Sequence, residues 1–203
     1  LLQKINDVFT KWVQNNVLID NRGAIRVDFK KLHYVFMKSN IFTINVLGKI
    51  IKTVGGKEFS PKREKTLKCL NVIFDPSFKK TNLGNVNIFL KNRYLFFIRE
   101  NRNINFKIEI KKNKKYIFDG RFILISKYSG NLIKSVIKDI DHIKTDNAFI
   151  EYKDDINNTI PFISTLEGMT VKPYFNIVDM KSENKVNCEY NSFDLCFINR
   201  LLI

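Results

Sequence analysis

The fold is decided by residues 83–110, which read LGNVNIFLKNRYLFFIRENRNINFKIEI. Asn, Arg and Lys clusters separate three short runs of β-branched and aromatic residues in this stretch, at 86–90, 94–98 and 104–110. Such runs between turn-forming residues are typical of strands. The third run alternates apolar and polar residues, so one of its faces should be buried and the other wet. The sequence therefore predicts a small antiparallel sheet here, with further strands at 116–118, 121–125 and 148–152.

Upstream of this stretch, apolar residues recur at the spacing of helices. One stripe comprises Leu2, Ile5, Phe9, Trp12 and Val13, and a second comprises Ile41, Ile44, Leu47, Ile51 and Val54. Asp28 is placed to cap a short helix between these two, and the Gly55-Gly56 pair to end the second. Ser60 followed by Pro61 is typical of the start of another, which should stop near Asp75-Pro76. We expect these stripes to be core packing.

These patterns predict an α+β fold, in which an N-terminal helical segment precedes a small, mostly antiparallel β-rich domain. The expected boundary separates a helical segment, residues 1–57, from an α+β domain, residues 58–203. A chain of 203 residues and 23.9 kDa is one large domain or two small ones. Its 44% hydrophobic and 27% charged residues exclude a disordered chain. The chain begins with Leu1 and looks like a piece of a longer protein.

Cysteine usage and hydropathy favour a reducing, cytoplasmic location. The three cysteines, Cys69, Cys188 and Cys196, show no C-x-x-C spacing, which argues against a disulfide framework and against a cysteine zinc site. No apolar run approaches the roughly 18 to 20 residues of a membrane span. The sequence predicts no membrane association and leaves the oligomeric state open.

The net charge of +15 comes from 35 Lys+Arg and 20 Asp+Glu. Only 8 of the basic residues are arginine, and the abundance of Lys, Ile and Asn is typical of an AT-rich genome, so part of this charge reflects composition. Its distribution is informative, because residues 1–75 carry +8, residues 76–140 carry +11 and residues 141–203 carry −4. A basic body with an acidic tail favours a nucleic-acid surface over a merely solvated basic face.

The sequence predicts no catalytic residue, no cofactor site and no metal site. His33 and His142 lie 109 residues apart without ligand spacing, so both are expected to be ordinary histidines. Glu151, Asp154 and Asp155 form an acidic cluster that could hold Mg²⁺, but a solvated turn is favoured. The chain contains no phosphate-binding, dinucleotide-binding or nucleophile-elbow glycine motif.

Basic residues supply the better candidates. Lys62 and Arg63 lie in the opening turns of the helix expected after Ser60, where N–H groups and the helix dipole favour phosphate. Further basic residues decorate the strands and a turn between them, and the candidates among them are Arg93, Arg99, Lys111 and Lys112. Together they form a plausible electrostatic track for backbone phosphates, without any specificity for a base sequence.

Several short motifs follow one another in a fixed order. They are Leu47-Gly48, Val54-Gly55-Gly56, Phe59-Ser60-Pro61-Lys62-Arg63, Thr81-Asn82-Leu83-Gly84, Arg99-Glu100 and Phe118-Asp119-Gly120-Arg121-Phe122. This order resembles the C-terminal half of tRNA(Ile)-lysidine synthetase, in which V-G-G, P-P-R, T-L-G-G, R-E and W-D-x-R-F occur in the same succession. Thr159-Ile160-Pro161-Phe162 and Glu167-Gly168 also look like motifs near that family's chain end. The resemblance touches about three quarters of the chain.

The resemblance implies a cytoplasmic ligase that activates the wobble cytidine of the CAU-anticodon isoleucine tRNA with ATP and attaches free lysine to it. The family's ATP site, with its S-G-G-x-D-S loop, has no counterpart in these residues. The chain would therefore be the tRNA-gripping part, non-catalytic by itself. Its partner would be tRNA, and the full-length family member would use L-lysine, ATP and Mg²⁺ through the absent domain.

The residues on family motif positions are Arg63, Arg99 with Glu100, and Arg121, and we expect the three arginines to contact RNA. Their alternative role is to pair with carboxylates inside the sheet region, and Arg121, after the expected Asp119-Gly120 turn, is the strongest candidate for it. A second hypothesis for the whole chain is a non-enzymatic interaction module or the remnant of a truncated gene. Such a module should not prefer tRNA over other polyanions.

Overall fold

The computed structural model describes residues 2–104, 108–134, 147–166, 170–171, 174–179, 193–199 and 201. Residues 105–107 of the third predicted strand, His142, Glu167-Gly168 and Cys188 lie outside the described residues. The chain divides into two compact units. Unit 1 comprises Leu1–Ile19, Ala24–Arg99 and Arg200–Ile203, and unit 2 comprises Asp20–Gly23 and Glu100–Asn199.

The helices of unit 1 begin and end where local capping chemistry places them. They are α1 (Leu2–Asn16), α2 (Phe29–Lys38), α3 (Asn40–Val54) and α4 (Arg63–Ile73). The carboxylate of Asp28 accepts a hydrogen bond of 3.2 Å from the N–H of Lys31 and caps α2, which confirms that prediction. Gly55 ends α3, also as predicted. The fourth helix begins at Arg63 rather than at Pro61, because Lys62 still has an extended backbone with ψ of 140°.

A five-stranded antiparallel sheet accompanies these helices in unit 1. Its strands are β1 (Val17–Ile19), β2 (Ile25–Asp28), β3 (Lys80–Leu83), β4 (Val86–Lys91) and β5 (Tyr94–Arg99), in the order β1-β2-β5-β4-β3. The β3–β4 turn consists of Gly84 and Asn85, with φ of 60° and 66°, a left-handed pair that matches the twist of a hairpin. The strands predicted at 86–90 and 94–98 are confirmed as β4 and β5.

One face of this sheet packs against the helices. The core includes Ile25 and Val27 of β2, Leu95 and Phe97 of β5, and Leu47, Ile50 and Ile51 of α3. Each such burial contributes about 1.5–3 kcal/mol. At the end of α3 a Cβ added to Gly55 would lie 2.3 Å from the carbonyl oxygen of Gly84. Only glycine fits there, which gives the Gly55-Gly56 pair a packing role.

Unit 2 is built mainly from two four-stranded sheets, with strand orders β11-β10-β9-β6 and β12-β13-β8-β7. Its strands are β6 (Glu109–Ile110), β7 (Lys115–Phe118), β8 (Phe122–Ser126), β9 (Gly130–Lys134), β10 (Pro161–Thr165), β11 (Thr170–Val171), β12 (Tyr174–Asp179) and β13 (Phe193–Asn199). The described pairings are antiparallel except that of β12 with β13, which is parallel. The described residues of unit 2 also form 3₁₀ segments at Asn101–Asn103 and Asn147–Tyr152 and a short helix α5 (Lys153–Asn157).

The structure confirms the α+β class and corrects one predicted strand. The strand predicted at 148–152 is wrong, because these residues form a 3₁₀ segment in which Phe149 is buried and Ile150 is 57% exposed. A run with a single buried anchor suits a helical turn better than a strand. The two compact units divide after Arg99, because the helices share their core with the first sheet, whereas the boundary expected from the sequence lies after residue 57.

Candidate nucleic-acid interface

The seven residues predicted to bind RNA separate into an exposed and a buried group. The exposed residues are Lys62, Arg63 and Arg93 in unit 1 and Lys111 and Lys112 in unit 2. Arg99 and Arg121 are buried, with 4% and 0% of their surface exposed. An exposed cation can reach a phosphate directly, whereas a buried guanidinium is already satisfied by groups of the protein. The exposed five therefore remain the candidates for RNA contact, three on unit 1 and two on unit 2.

Arg121 belongs to a buried ion pair in unit 2. Its Nε donates to Oδ2 of Asp119 at 2.7 Å, and its Nη2 donates to the carbonyl oxygen of Thr159 at 2.7 Å. The planar guanidinium of Arg121 thus links the β7–β8 turn to the segment before β10. This geometry favours a structural role for Arg121 over RNA contact.

A second arginine of unit 2 repeats the arrangement, two residues after an aspartate. Nε and Nη2 of Arg22 bind the two carboxylate oxygens of Asp20 at 2.8 Å each, and Nη1 donates to Oδ1 of Asn157 at 2.9 Å. The next residue, Gly23, has φ of 89°, and a Cβ there would lie 2.8 Å from the ring of Phe197. Sequence reasoning did not single out this pair, although the shared D-x-R spacing was the available signal.

Arg99 lies at the end of β5, opposite Val86 of β4. Its Nη1 donates to the carbonyl oxygen of Asn85 at 3.2 Å, within the β3–β4 turn. This hydrogen bond stabilises the β3–β4 turn, so the position of Arg99 also favours a structural role.

Lys62 and Arg63 are exposed at the start of α4, as are Lys65 and Lys68 further along the helix. The side chain of Lys62, the N-cap residue, makes no capping hydrogen bond within the described part of the chain. Arg63 also lines a cleft of about 360 Å³ beside α3, together with Lys49, Gly48 and Ser60. Cations and helix N–H groups thus share one edge of unit 1, an arrangement that favours an anion.

Lys111 and Lys112 lie in a braced turn of unit 2, before β7. The N–H of Lys111 donates to the hydroxyl of Tyr116 at 2.8 Å, and the N–H of Lys112 donates to the hydroxyl of Ser129 at 3.0 Å. The side chains of Lys111, Lys112, Lys114 and Lys115 are all exposed around this turn. The backbone is fixed while four flexible ammonium groups remain in solvent, which suits contact with phosphates and carries no base specificity.

Arg93 lies close to Arg26 and Tyr94 of the first sheet. Arg26 and Arg93 approach the ring of Tyr94, with guanidinium carbons 4.3 Å and 5.0 Å from its centroid. A cleft of about 270 Å³ lies against these residues and against Lys31. Sequence reasoning missed Arg26, Lys31 and Tyr94. The alternation of residues 25–28, IRVD, was the signal for the strand that groups them.

The two units differ sharply in charge. Unit 1 contains 19 Lys+Arg and 5 Asp+Glu, a net charge of +14, whereas unit 2 contains 16 and 15, a net charge of +1. Among the described side chains of unit 1, 13 lysines and arginines are exposed, against 4 exposed carboxylates. The positive surface is therefore mainly a property of unit 1. The turn with the exposed lysines of residues 111–115, the lysine turn, is a local exception in unit 2.

The other candidates that the structure describes include His33, Asp154, Asp155 and Cys69. The ring of His33 packs against Phe74 at 4.8 Å and against Phe29 at 6.2 Å between centroids. Asp154 and Asp155 are exposed in α5. Among the residues that the structure describes, no group of three or more His, Cys, Asp or Glu is placed to hold a metal ion. Burial raises the pKa of the Cys69 thiol to about 11, so the thiolate needed for nucleophilic chemistry is suppressed.

Comparison of the chain with protein-family models, with curated proteins and with solved structures finds no match. In the described part of the chain, no helix combines the length and apolar character needed to cross a membrane. The chemistry of the candidate interface must therefore be argued from its own residues.

Proposed function

We propose that the chain is the tRNA-binding C-terminal portion of a tRNA(Ile)-lysidine synthetase, the cytoplasmic ligase that uses ATP to attach lysine to the wobble cytidine of the CAU-anticodon isoleucine tRNA. The observation that supports RNA binding is the exposed positive charge of unit 1. This unit has a net charge of +14, out of +15 for the whole chain. The identity of the ligase rests on the ordered motifs between residues 47 and 122.

The exposed cations define how the chain would bind RNA. Lys62, Arg63 and Arg93 present charge on unit 1, and Lys111 and Lys112 on unit 2. Each phosphate that they neutralise releases counterions, so the logarithm of the association constant falls with the logarithm of salt concentration, with a slope of about −0.7 to −0.9 per phosphate. Arg99 and Arg121 position the backbone and are not part of this interface. Chemistry on the cytidine would belong to the ATP-binding domain, with ATP, Mg²⁺ and L-lysine bound there.

Fluorescence anisotropy tests the proposal with the CAU-anticodon isoleucine tRNA, a second elongator tRNA and heparin as probes. We expect binding of both tRNAs with a steep salt dependence, and weaker binding of heparin at equal charge. A flat affinity between about 50 and 200 mM salt would refute the phosphate track. Equal affinity for heparin and tRNA would instead support the interaction module.

A further inference from the structure

The outer face of the first sheet brings Arg26, Asp28 and Tyr94 together. Ile25 and Val27 point into the core, so the alternating residues Arg26 and Asp28 lie on the opposite face of β2. Tyr94 is the register partner of Asp28 across the antiparallel β2–β5 pair and shares that face. The placement follows from strand register and does not depend on flexible loops.

Two guanidinium groups pack on the phenol ring at this face. The guanidinium carbon of Arg26 lies 4.3 Å and that of Arg93 lies 5.0 Å from the centroid of Tyr94. The side chain of Arg93 is 61% exposed, so its flat guanidinium extends the aromatic surface toward solvent. Nucleobases in single-stranded RNA stack on aromatic rings and on arginine planes of this kind.

The charge of this group favours an anion beside the stack. Three cations, Arg26, Lys31 and Arg93, line the adjoining cleft together with one carboxylate, that of Asp28. Oδ1 of Asp28 accepts from the N–H of Lys31 at 3.2 Å, and Oδ2 lies 3.3 Å from Nη2 of Arg93. Because the Arg93 side chain is 61% exposed, its ion pair with Asp28 contributes little stability. Arg93 can therefore leave Asp28 for a phosphate at little cost in free energy.

The adjoining cleft has room for one small group. Its volume is about 270 Å³, near the lower end of the roughly 300–1,000 Å³ of ligand pockets, and Gln14 and Asn15 add amide donors and acceptors to its lining. Resting on the proposed RNA-binding function, we infer that this cleft is a subsite for one unpaired nucleotide of RNA. Its phosphate lies against Lys31 and Arg93, and its base lies on the guanidinium–tyrosine stack.

The test uses the full chain and a fluorescent ten-nucleotide single-stranded RNA that contains 5-bromouridine, with a blunt RNA duplex of the same length for comparison. We expect Lys31→Gln and Tyr94→Leu each to weaken single-strand binding about five- to tenfold. Lys30→Gln is the matched control, because Lys30 is an exposed lysine next in sequence that does not line the cleft. Tyr94→Phe keeps the ring and should bind nearly as well as the native chain.

Ultraviolet crosslinking of the native chain adds a measurement that does not depend on the folding of any variant. We expect mass spectrometry to find the bromouridine crosslink on the peptide that contains Tyr94. If Lys30→Gln and Lys31→Gln weaken binding equally, or if the crosslink maps elsewhere, the subsite is wrong while RNA binding stands. If neither RNA nor tRNA binds the native chain at low salt, the proposed function fails together with the subsite. Preference for the duplex over the single strand would also overturn the inference.

Discussion

Two arginines of unit 2 and two arginines of unit 1 differ in their surroundings. In unit 2, Arg22 and Arg121 are buried against aspartates that precede them by two residues, and the unit has a net charge of only +1. In unit 1, Arg63 and Arg93 are exposed in a unit with a net charge of +14. Arg99 of unit 1 is also buried, with 4% of its surface exposed, so the role of an arginine follows from the groups that surround it and is not given by the net charge of its unit.

Loss of the buried Arg121 ion pair should have the largest effect on stability. Arg121→Ala leaves the carboxylate of Asp119 and the carbonyl oxygen of Thr159 buried without the guanidinium that pairs with them. Removing one partner of a buried ion pair costs about 3–5 kcal/mol of the free energy of unfolding. Native-state hydrogen exchange of peptides from β8 and β10 should report this loss.

Arg93→Ala is the matched control for that variant, because the Arg93 side chain is 61% exposed and belongs to unit 1. Removal of an exposed ion pair should change stability by less than about 1 kcal/mol. We expect the opposite order for RNA, where Arg93→Ala weakens binding. A stability loss for Arg121→Ala no greater than that for Arg93→Ala would mean that the buried pair is not structural.

Two double variants compare how much the exposed charges of each unit contribute to tRNA binding. Lys62→Ala/Arg63→Ala and Lys111→Ala/Lys112→Ala each remove two exposed positive charges, the first from unit 1 and the second from unit 2. We expect the first pair to weaken tRNA binding and to reduce the slope of log K against log salt by about 2, since each lost phosphate contact reduces that slope by about 1. The second pair should cost less, because the rest of unit 2 is nearly neutral and attracts RNA weakly.

Anisotropy titrations at several salt concentrations separate the two double variants. Both should keep the native melting curve, since all four side chains are exposed. A larger loss for Lys111→Ala/Lys112→Ala would move the interface to the lysine turn and would reverse the comparison between the units.

Much of unit 1 could be predicted from sequence because its signals are local. The Asp28 cap, the glycine end of α3 and the apolar runs of β4 and β5 are each contained in a few neighbouring residues. Strands β1 and β2 have only three and four residues, so the alternation of residues 25–28 is a weak signal that is easily missed. The parallel pairing of β12 with β13 joins segments distant in sequence, and no local pattern reports it.

The candidate site shows the same limit. The exposure of Lys62 and Lys111 follows from their place in a helix start and a polar turn, which sequence can indicate. The burial of Arg99 and Arg121 depends on partners 14 and 38 residues away in the chain, Asn85 and Thr159. The Arg26–Tyr94 stack likewise needs the β2–β5 register. Local chemistry is therefore predictable here, and its tertiary partners are not.

The smallest expected effect concerns Asp75, one of the few acids of the basic unit. The hydroxyl of Ser77 and then its N–H donate to Oδ1 of this carboxylate and hold the pKa of Asp75 below its ordinary value of about 3.9. Because the folded-state pKa is depressed, the contribution to stability is present above the unfolded pKa and is lost as the pH falls through the folded pKa. Asp75 is fully exposed, so the effect on stability should be small.

Carbon-13 NMR titration of the Asp75 carboxyl measures this shift directly. Ser77→Ala removes the larger cause and leaves the N–H, so the pKa of Asp75 should rise only part of the way to its ordinary value. The stability difference between the native chain and Ser77→Ala should then be constant above about pH 5 and shrink below pH 4. In an Asp75→Asn background the same difference should not depend on pH. An unchanged Asp75 pKa in Ser77→Ala would instead assign the shift to the positive field of unit 1, and would extend the influence of its +14 charge to its own carboxylates.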